Sequence, residues 1–199
     1  MGAIFQSLGR TIIAGIVVLI AIIAITAGIT GSSNVGATPG WVAFFMRYLH
    51  VLSGVMWIGL LWYFNFVQIP SMPKIPDEQK PAIGKVIAPT ALFWFRWAAL
   101  ATVVTGILVA SMNKGYLVGA FTLQPGYVAI GIGMWLALIM AFNVWFIIWP
   151  NQKKALGIVT VPAEEKAKAA RIAMLTSRAN TMLSIPMLYC MVAQQNAGL

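Results

Sequence analysis

The longest apolar run of the chain, residues 41–70, carries a regular stripe of polar side chains. The run is long enough to cross a bilayer, because about 20 apolar residues at a rise of about 1.5 Å each suffice. Polar residues within a membrane usually face a partner or a cavity rather than lipid. The pattern therefore predicts a membrane helix whose polar face is surrounded by the rest of the chain. Steps of three and four residues place these positions on that face: Arg47, His50, Gly54, Trp57, Leu61, Asn65 and Gln68.

Four further apolar runs predict an all-α, polytopic membrane helix bundle in one domain, residues 1–199. The first run is longer than the core of a signal peptide, which has about 7–15 residues, so we interpret it as a retained, lipid-facing helix. Proline and glycine mark residues 69–87 as an extended, solvated loop, and Pro150 as the stop of the fourth helix. The five predicted transmembrane helices cover about 11–30, 42–68, 88–112, 126–149 and 171–193.

Composition supports a membrane protein. The 199 residues are 60% hydrophobic and 9% charged, with a mean hydropathy of +0.87, whereas about 25% of the residues in a soluble domain are charged. A net charge of +9 would suggest a nucleic-acid partner in a soluble protein. Here the basic residues lie in short loops, where they determine topology, so no nucleic-acid partner is expected.

The distribution of lysine and arginine predicts the orientation. Nine of the thirteen lie in segments on the same side as Arg10, Lys114 alone lies on the other side, and three fall inside predicted spans. Cytoplasmic loops carry the excess of positive charge. We therefore predict a multi-pass protein of the bacterial inner membrane, with the N-terminus cytoplasmic and the C-terminus periplasmic.

Several kinds of site are excluded by the residue inventory. Cys190 is the single cysteine and His50 the single histidine, so the chain has no internal disulfide, no CxxCH motif for covalent haem and no zinc site built from several histidines. All four acidic residues fall in predicted loops. A buried carboxylate pair for acid–base chemistry is therefore absent from the sequence.

An outer polar layer suggests a haem b site. His50 is predicted about 12 Å deep and Arg47 about 8 Å deep, and a membrane-embedded histidine is a common axial ligand of haem iron. Arg47 could pair with a propionate, and Gly54 would leave room for a flat ring. A second axial ligand would have to be a methionine or come from another chain, unless the iron is five-coordinate. The alternative is a hydrogen-bonded structural histidine.

An inner polar layer suggests an anion site. It is predicted to contain Asn65, Gln68, Arg96, Asn143, Arg178 and Asn180. A guanidinium near mid-membrane costs about 2.5 kcal/mol or more unless it is paired. Either Arg96 and Arg178 reach toward headgroups and bond to carbonyls and asparagines, or an anion completes the site. That anion could be a ligand carboxylate, a urate-like anion, a lipid phosphate or an acid from another subunit. We expect both guanidinium groups to face the bundle interior or a subunit interface, with Asn65, Asn143 or Asn180 as hydrogen-bond neighbours.

Two blocks, HVLSGVMWIGLLWYFNFVQIP and APTALFWFRWAALATVVTG, resemble the urate oxidase N-terminal domain family, the membrane part of bacterial cytochrome c-linked urate hydroxylases. The likeness covers about 41–149. It implies a helical membrane domain, urate as the substrate and a periplasmic electron acceptor such as cytochrome c. Without a CxxCH motif, the chain is similar to a stand-alone member lacking the cytochrome c domain. The residues carrying the likeness are His50, 57–59, 65–68, Ala91, Leu92, 95–97, Thr105 and Gly106.

Two functions are consistent with these features. One is a membrane oxidoreductase or an electron-transfer subunit, with haem at His50 and an anion at the arginines. The other is a non-catalytic accessory subunit that packs in the bilayer against a larger respiratory or oxidase complex. In both, the expected partners are other membrane subunits or further copies of the chain.

Overall fold

A computed structural model describes residues 2–31, 35–36 and 38–196, which form helices and turns without a strand. The predicted all-α class is confirmed. Four helices are long and apolar enough to cross a membrane: Leu8–Thr30, Pro39–Lys74, Lys80–Ser111 and Val128–Ala155. The fifth long helix, Ala163–Ala193, is not among them. A fifth span and the orientation of the termini therefore stay predictions.

The chain divides into two compact units, Met1–Phe45 and Met46–Leu199. Most of the first unit is helix α1 (Leu8–Thr30), which follows a short helix, Gly2–Phe5. None of its residues is buried, as expected for an apolar helix with lipid on all sides. Gly31 ends α1 with φ 64°, a left-handed conformation in which its N–H donates to the carbonyl of Ala27.

Helix α2 (Pro39–Trp62) leads into the second unit, which continues with α3 (Ala88–Ser111), α4 (Tyr116–Phe121), α5 (Val128–Phe142) and α6 (Ala163–Ala193). Helix α4 lies in a segment expected to be a loop. Part of the segment 69–87 is helical too, with Ile69–Ser71 and Lys80–Ala82 in α-helical turns. Only 75–79, between them, lacks helix among these residues, so the predicted extended loop is wrong for most of its length.

Three π-helical segments interrupt the long helices, and each ends two residues before a proline. They are Tyr63–Gln68 before Pro70, Ile83–Ile87 before Pro89, and Asn143–Ile148 before Pro150. Proline has no N–H, and its ring clashes with the carbonyl four residues earlier. In each case the N–H just before the proline bonds five residues back instead, as Trp149 does to Val144. The helix therefore continues through Pro150 as Trp149–Ala155, and the predicted stop there is wrong.

The core of the second unit lies where α2, α3 and the α5 region meet. Its fully buried side chains include Trp57, Leu61, Phe95, Met140 and Val144. In lipid, transfer out of water contributes little between helices, so close packing and polar contacts hold such a bundle together. Gly131 shows how close the packing is, since a Cβ there would lie 2.2 Å from the carbonyl oxygen of Ala120.

Helix α6 presents small residues to this core. Pro162 precedes its first turn, in which Glu164 and Glu165 complement the helix dipole. The helix therefore begins about two turns before the predicted residue 171, and these two acids lie in a helix rather than in a loop. Its buried positions follow steps of three and four residues. They are Ala169, Ala173, Ser177, Asn180, Ser184, Met187, Cys190 and Ala193.

Candidate functional site

His50 is held against the backbone of α3. Its Nδ1 lies 2.9 Å from the carbonyl oxygen of Thr102 and 3.2 Å from Oγ1 of Thr105. A carbonyl can only accept, so in the neutral imidazole Nδ1 carries the proton and donates it. The lone pair is then on Nε2, which makes no hydrogen bond to a described residue. The contact thus sets the tautomer and leaves one basic nitrogen available.

Gly106 makes this approach possible. A Cβ at position 106 would lie 2.9 Å from Cε1 and 3.3 Å from Nδ1 of His50, so any side chain there would displace the imidazole. The hydroxyls of Thr102 and Thr105 donate to carbonyls one turn earlier in α3, and Thr105 therefore offers its lone pairs to Nδ1. Gly106 and the two threonines build the cradle for the ring.

Arg47 and Gly54 lie beside His50 in different surroundings. Arg47 is exposed. Gly54 is half-buried, and a Cβ there would touch the methyl of Thr102 at 4.0 Å, so this glycine faces α3 at contact distance. Near Arg47, burial raises the pKa of Tyr116 above its usual 10.0, with a contribution from Tyr127, while the positive charge of Arg47 opposes the shift. The rings of the two tyrosines meet edge to face at 5.1 Å.

The asparagines predicted for the inner layer bond to other groups than the arginines. Nδ2 of Asn143 donates to Oδ1 of Asn180 at 2.8 Å, and Nδ2 of Asn180 donates to the Met140 carbonyl at 2.9 Å. Asn65 donates to Ser177 at 2.8 Å and to the carbonyl of Leu61. The expectation that these asparagines are hydrogen-bond neighbours of Arg96 or Arg178 is therefore wrong. They tie α6 to the helices on either side of it instead.

Arg96 is buried, with 9% of its surface exposed, and its guanidinium carbon lies 3.4 Å from the ring centroid of Trp149. Its Nη1 is fully buried without a hydrogen-bond partner. Nζ of Lys153 lies 5.7 Å from the same centroid. Two cations therefore approach one indole, and among the described residues neither forms an ion pair with a carboxylate.

Arg178 does not join Arg96. It is exposed on α6, on the same face as Leu175 and Met182, which are also exposed. The expectation of two guanidinium groups in the bundle interior is wrong for Arg178, whereas a place for it at a subunit interface stays a prediction. Gln68 is half-buried, and its Oε1 is fully buried without a partner. Of the predicted anion-binding set, Arg96 alone is a buried cation.

Several residues of these sites were not identified from the sequence. The sequence places Trp149 at the end of the predicted fourth helix and Lys153 in the basic segment that follows it, and it assigns neither residue to a polar layer. The small polar residues of α6 follow a seven-residue spacing that could have revealed the inward face: Ser184 accepts from Nε1 of Trp62 at 3.0 Å. Thr102 and Thr105 had a weaker signal, as two hydroxyl residues near Gly106 in an otherwise apolar run.

Comparison with known proteins finds a family model that is similar to part of this chain. The model of the family described as urate oxidase N-terminal matches residues 116–197, which include α4, α5, the Asn143–Asn180 contact, Trp149 and Lys153. No curated protein and no solved structure matches the chain. Both blocks from which we inferred the resemblance lie before residue 116, so the match rests on other residues of the chain and overlaps the predicted range, 41–149, over 116–149. Over residues 116–197, the chain is thus similar to the urate oxidase N-terminal family, which is the family that its sequence resembles.

Proposed function

We propose that this chain is a membrane protein of the urate oxidase N-terminal type that acts in or beside a membrane redox system and binds haem b through Nε2 of His50. The observation that supports this most is the hydrogen bond from Nδ1 of His50 to the Thr102 carbonyl, 2.9 Å long. A metal-ligating histidine almost always donates its other ring N–H to a carbonyl, a carboxylate or water. The tautomer of His50 is the one that a haem ligand needs.

The residues around His50 fit this role in part. Thr102 orients the imidazole, Gly106 gives it space, and the exposed guanidinium of Arg47, one turn away, is free to pair with a propionate. Haem b, when bound, would accept and release one electron. The single histidine cannot supply both axial ligands, so the second position would be open, or be filled by a methionine or by a residue of another chain.

The proposed setting is the bacterial inner membrane, with five spans, the N-terminus in the cytoplasm and the C-terminus in the periplasm. The nine-to-one distribution of basic residues supports this orientation. Other membrane subunits or further copies of the chain are the proposed partners, with a periplasmic cytochrome c as electron acceptor. Urate, which the family description names, is the proposed substrate of that system.

Reporter fusions test this topology. Fusions at Lys80 and Lys154 should report a cytoplasmic location, and a fusion at Lys114 a periplasmic one. A periplasmic signal at Lys154 would overturn the orientation and, with it, the placement of His50 in the outer half of the membrane.

A non-catalytic accessory subunit is the second candidate, and it rests on the contact of His50 with Thr102 and Thr105 of α3. In this case His50 is structural, and its hydrogen bond to α3 serves only to hold two helices together.

A reduced-minus-oxidised absorption spectrum of the purified protein separates the two candidates. The proposal expects a haem b band in the wild type, its loss in His50→Ala, and its retention in Thr105→Val, which removes the 3.2 Å contact but keeps the Thr102 carbonyl. Both variants should remain in the membrane fraction. A wild type without haem, expressed in cells that supply it, or a band that persists in His50→Ala, would leave the accessory role as the better account.

A further inference from the structure

We propose that Arg96, Trp149 and Lys153 form a binding site for one oxyanion, a phosphate or carboxylate group. This site lies in the helical region that also contains the π-helical segment Asn143–Ile148, away from the cradle of His50. It uses none of the residues assigned to haem. The oxyanion proposal can therefore be tested independently of the haem proposal.

The first argument is the unbalanced charge of Arg96. The residue is nine-tenths buried, and its Nη1 is fully enclosed without a partner. Two of the four acidic residues already have other partners, because Asp77 pairs with Lys80 and Glu165 pairs with Lys154. Glu78 is exposed in the non-helical segment 75–79, and Glu164 is exposed in the first turn of α6. A guanidinium buried in a membrane bundle needs a counter-charge or hydrogen-bond acceptors, and the described residues offer neither.

The second argument is the direction of the guanidinium. Its carbon lies 3.4 Å from the indole centroid of Trp149, so a face of the guanidinium meets the ring, as in other cation–π pairs. All five N–H bonds of arginine lie in its plane. Stacking on Trp149 therefore orients the guanidinium of Arg96 but gives its N–H groups no hydrogen-bond acceptor. The edge stays available for an acceptor with two oxygens, which is the geometry of a carboxylate or a phosphate.

The third argument is the second cation at the same ring. Nζ of Lys153 lies 5.7 Å from the centroid of Trp149, and both Lys153 and Trp149 are half-buried rather than enclosed. Two like charges near one indole repel each other, and an anion between them would turn this repulsion into attraction. Lys153 lies near the end of Trp149–Ala155, where a long side chain can meet an anion arriving from headgroups or from water.

The ligand is thus defined by chemistry, and two sources can supply it. A soluble phosphate or carboxylate could enter from the aqueous side, or the phosphate of an acidic phospholipid could occupy the site with its acyl chains in the bilayer. Both present two oxygens to the edge of Arg96 and a negative charge to Lys153. They differ in whether they act from water or only within a lipid or micelle.

Thermal unfolding of the full chain in a neutral detergent tests the site. The probes are inorganic phosphate, sodium acetate, short-chain phosphatidylglycerol and, as a zwitterionic control, short-chain phosphatidylcholine, all at one ionic strength set with chloride. Binding to the folded state alone stabilises it, so at about 100 times the Kd we expect Tm to rise by about 5 °C. Response to phosphate or acetate indicates a soluble ligand, and response to phosphatidylglycerol alone indicates a lipid headgroup.

Matched variants locate the response. Lys153→Gln should weaken the Kd of the responding probe at least tenfold. Lys168→Gln, which removes an exposed lysine from α6, should leave it unchanged. Arg96→Lys keeps the charge but loses the planar fork, and should also lose the response if it folds. The proposal fails if no probe raises Tm above the chloride reference, or if Lys153→Gln and Lys168→Gln respond as the wild type does.

Discussion

His50 and Arg96 are both polar residues on apolar helices, yet their surroundings differ. Nδ1 of His50 is bonded to a backbone carbonyl, and its Nε2 keeps a lone pair. Arg96 stacks on Trp149, and its positively charged N–H groups remain without acceptors among the described residues. This is why His50 is the proposed ligand of haem iron and Arg96 the proposed ligand of an anion. Residue type and partner together determine which chemistry remains available.

The largest expected effect is at the contact between α2 and α3. Gly106→Val would place methyl groups where the ring of His50 lies, since even a Cβ would come within 2.9 Å of Cε1. We expect a loss of about 2–4 kcal/mol in the free energy of unfolding from overpacking and the lost hydrogen bond. Titration with sodium dodecyl sulfate in micelles measures it.

Gly59→Ala is the matched control for Gly106→Val, because nothing lies within 4 Å of a Cβ at that position. The control should not destabilise the protein. The oxyanion response should survive in Gly106→Val wherever the protein folds. A Gly106→Val protein as stable as the control would mean that His50 is not packed on α3 as described.

The next effect concerns the hydrogen-bonded pair of Asn143 and Asn180. Asn180 is fully buried and makes two hydrogen bonds. Asn180→Leu should cost about 1–3 kcal/mol, because it leaves the Asn143 side-chain amide without its partner and removes the side-chain donor from the Met140 carbonyl, which keeps only the backbone N–H of Asn143. Asn143→Leu, which removes one of the two bonds, should cost less in the same detergent titration. Equal costs would show that the bond to Met140 contributes nothing.

A smaller effect separates the two arginines. Arg96→Lys should lower the free energy of unfolding by about 1–2 kcal/mol, since an ammonium group stacks on Trp149 less well and has no planar edge. Arg178→Lys changes an exposed residue, and should stay within about 0.5 kcal/mol. If Arg178→Lys has the larger cost, Arg178 is at an interface with another subunit, and size-exclusion profiles of the two variants should then differ.

The smallest effect is pH-dependent. Burial raises the pKa of Tyr116 in the folded state above the unfolded value of 10.0. The stabilisation is therefore complete below pH 10 and is lost as the pH rises through the folded pKa. Tyr116→Phe should flatten the fall of Tm above pH 10. Tyrosinate absorbance is followed in both proteins as the pH is raised. Compared with the wild type, Tyr116→Phe should have one tyrosine fewer among those that ionise above pH 10.

Helix positions followed from the sequence because long apolar runs have few alternatives in a membrane. The stripe on 47–68 was also predicted correctly for Trp57, Leu61 and Asn65, which are buried. Contacts between helices were not predictable in the same way. Depth along a helix indicated that Arg96 and Arg178 lie at one level, but not that Arg178 points outward, because rotation of α6 is determined by the packing of its small residues.

The partners of Arg96 were missed for a related reason. Trp149 and Lys153 belong to a helix that was expected to end at Pro150. The hydrogen-bond shift at the preceding π-helical segment lets the chain remain helical for another turn and a half. Only this continuation places Lys153 one turn beyond Trp149 and brings both to the same cation. Knowledge of one backbone irregularity was needed to find the site.

The three π-helical segments also have a consequence for alignments with related sequences. A turn closed by a bond to the fifth residue holds one residue more than an α-helical turn, so everything beyond it is rotated by about 100° relative to a regular helix. A relative that lacks the proline at position 70, 89 or 150 has no need of the extra residue. We expect such relatives to carry a one-residue gap within 63–68, 83–87 or 143–148, and relatives that keep the proline to align there without one.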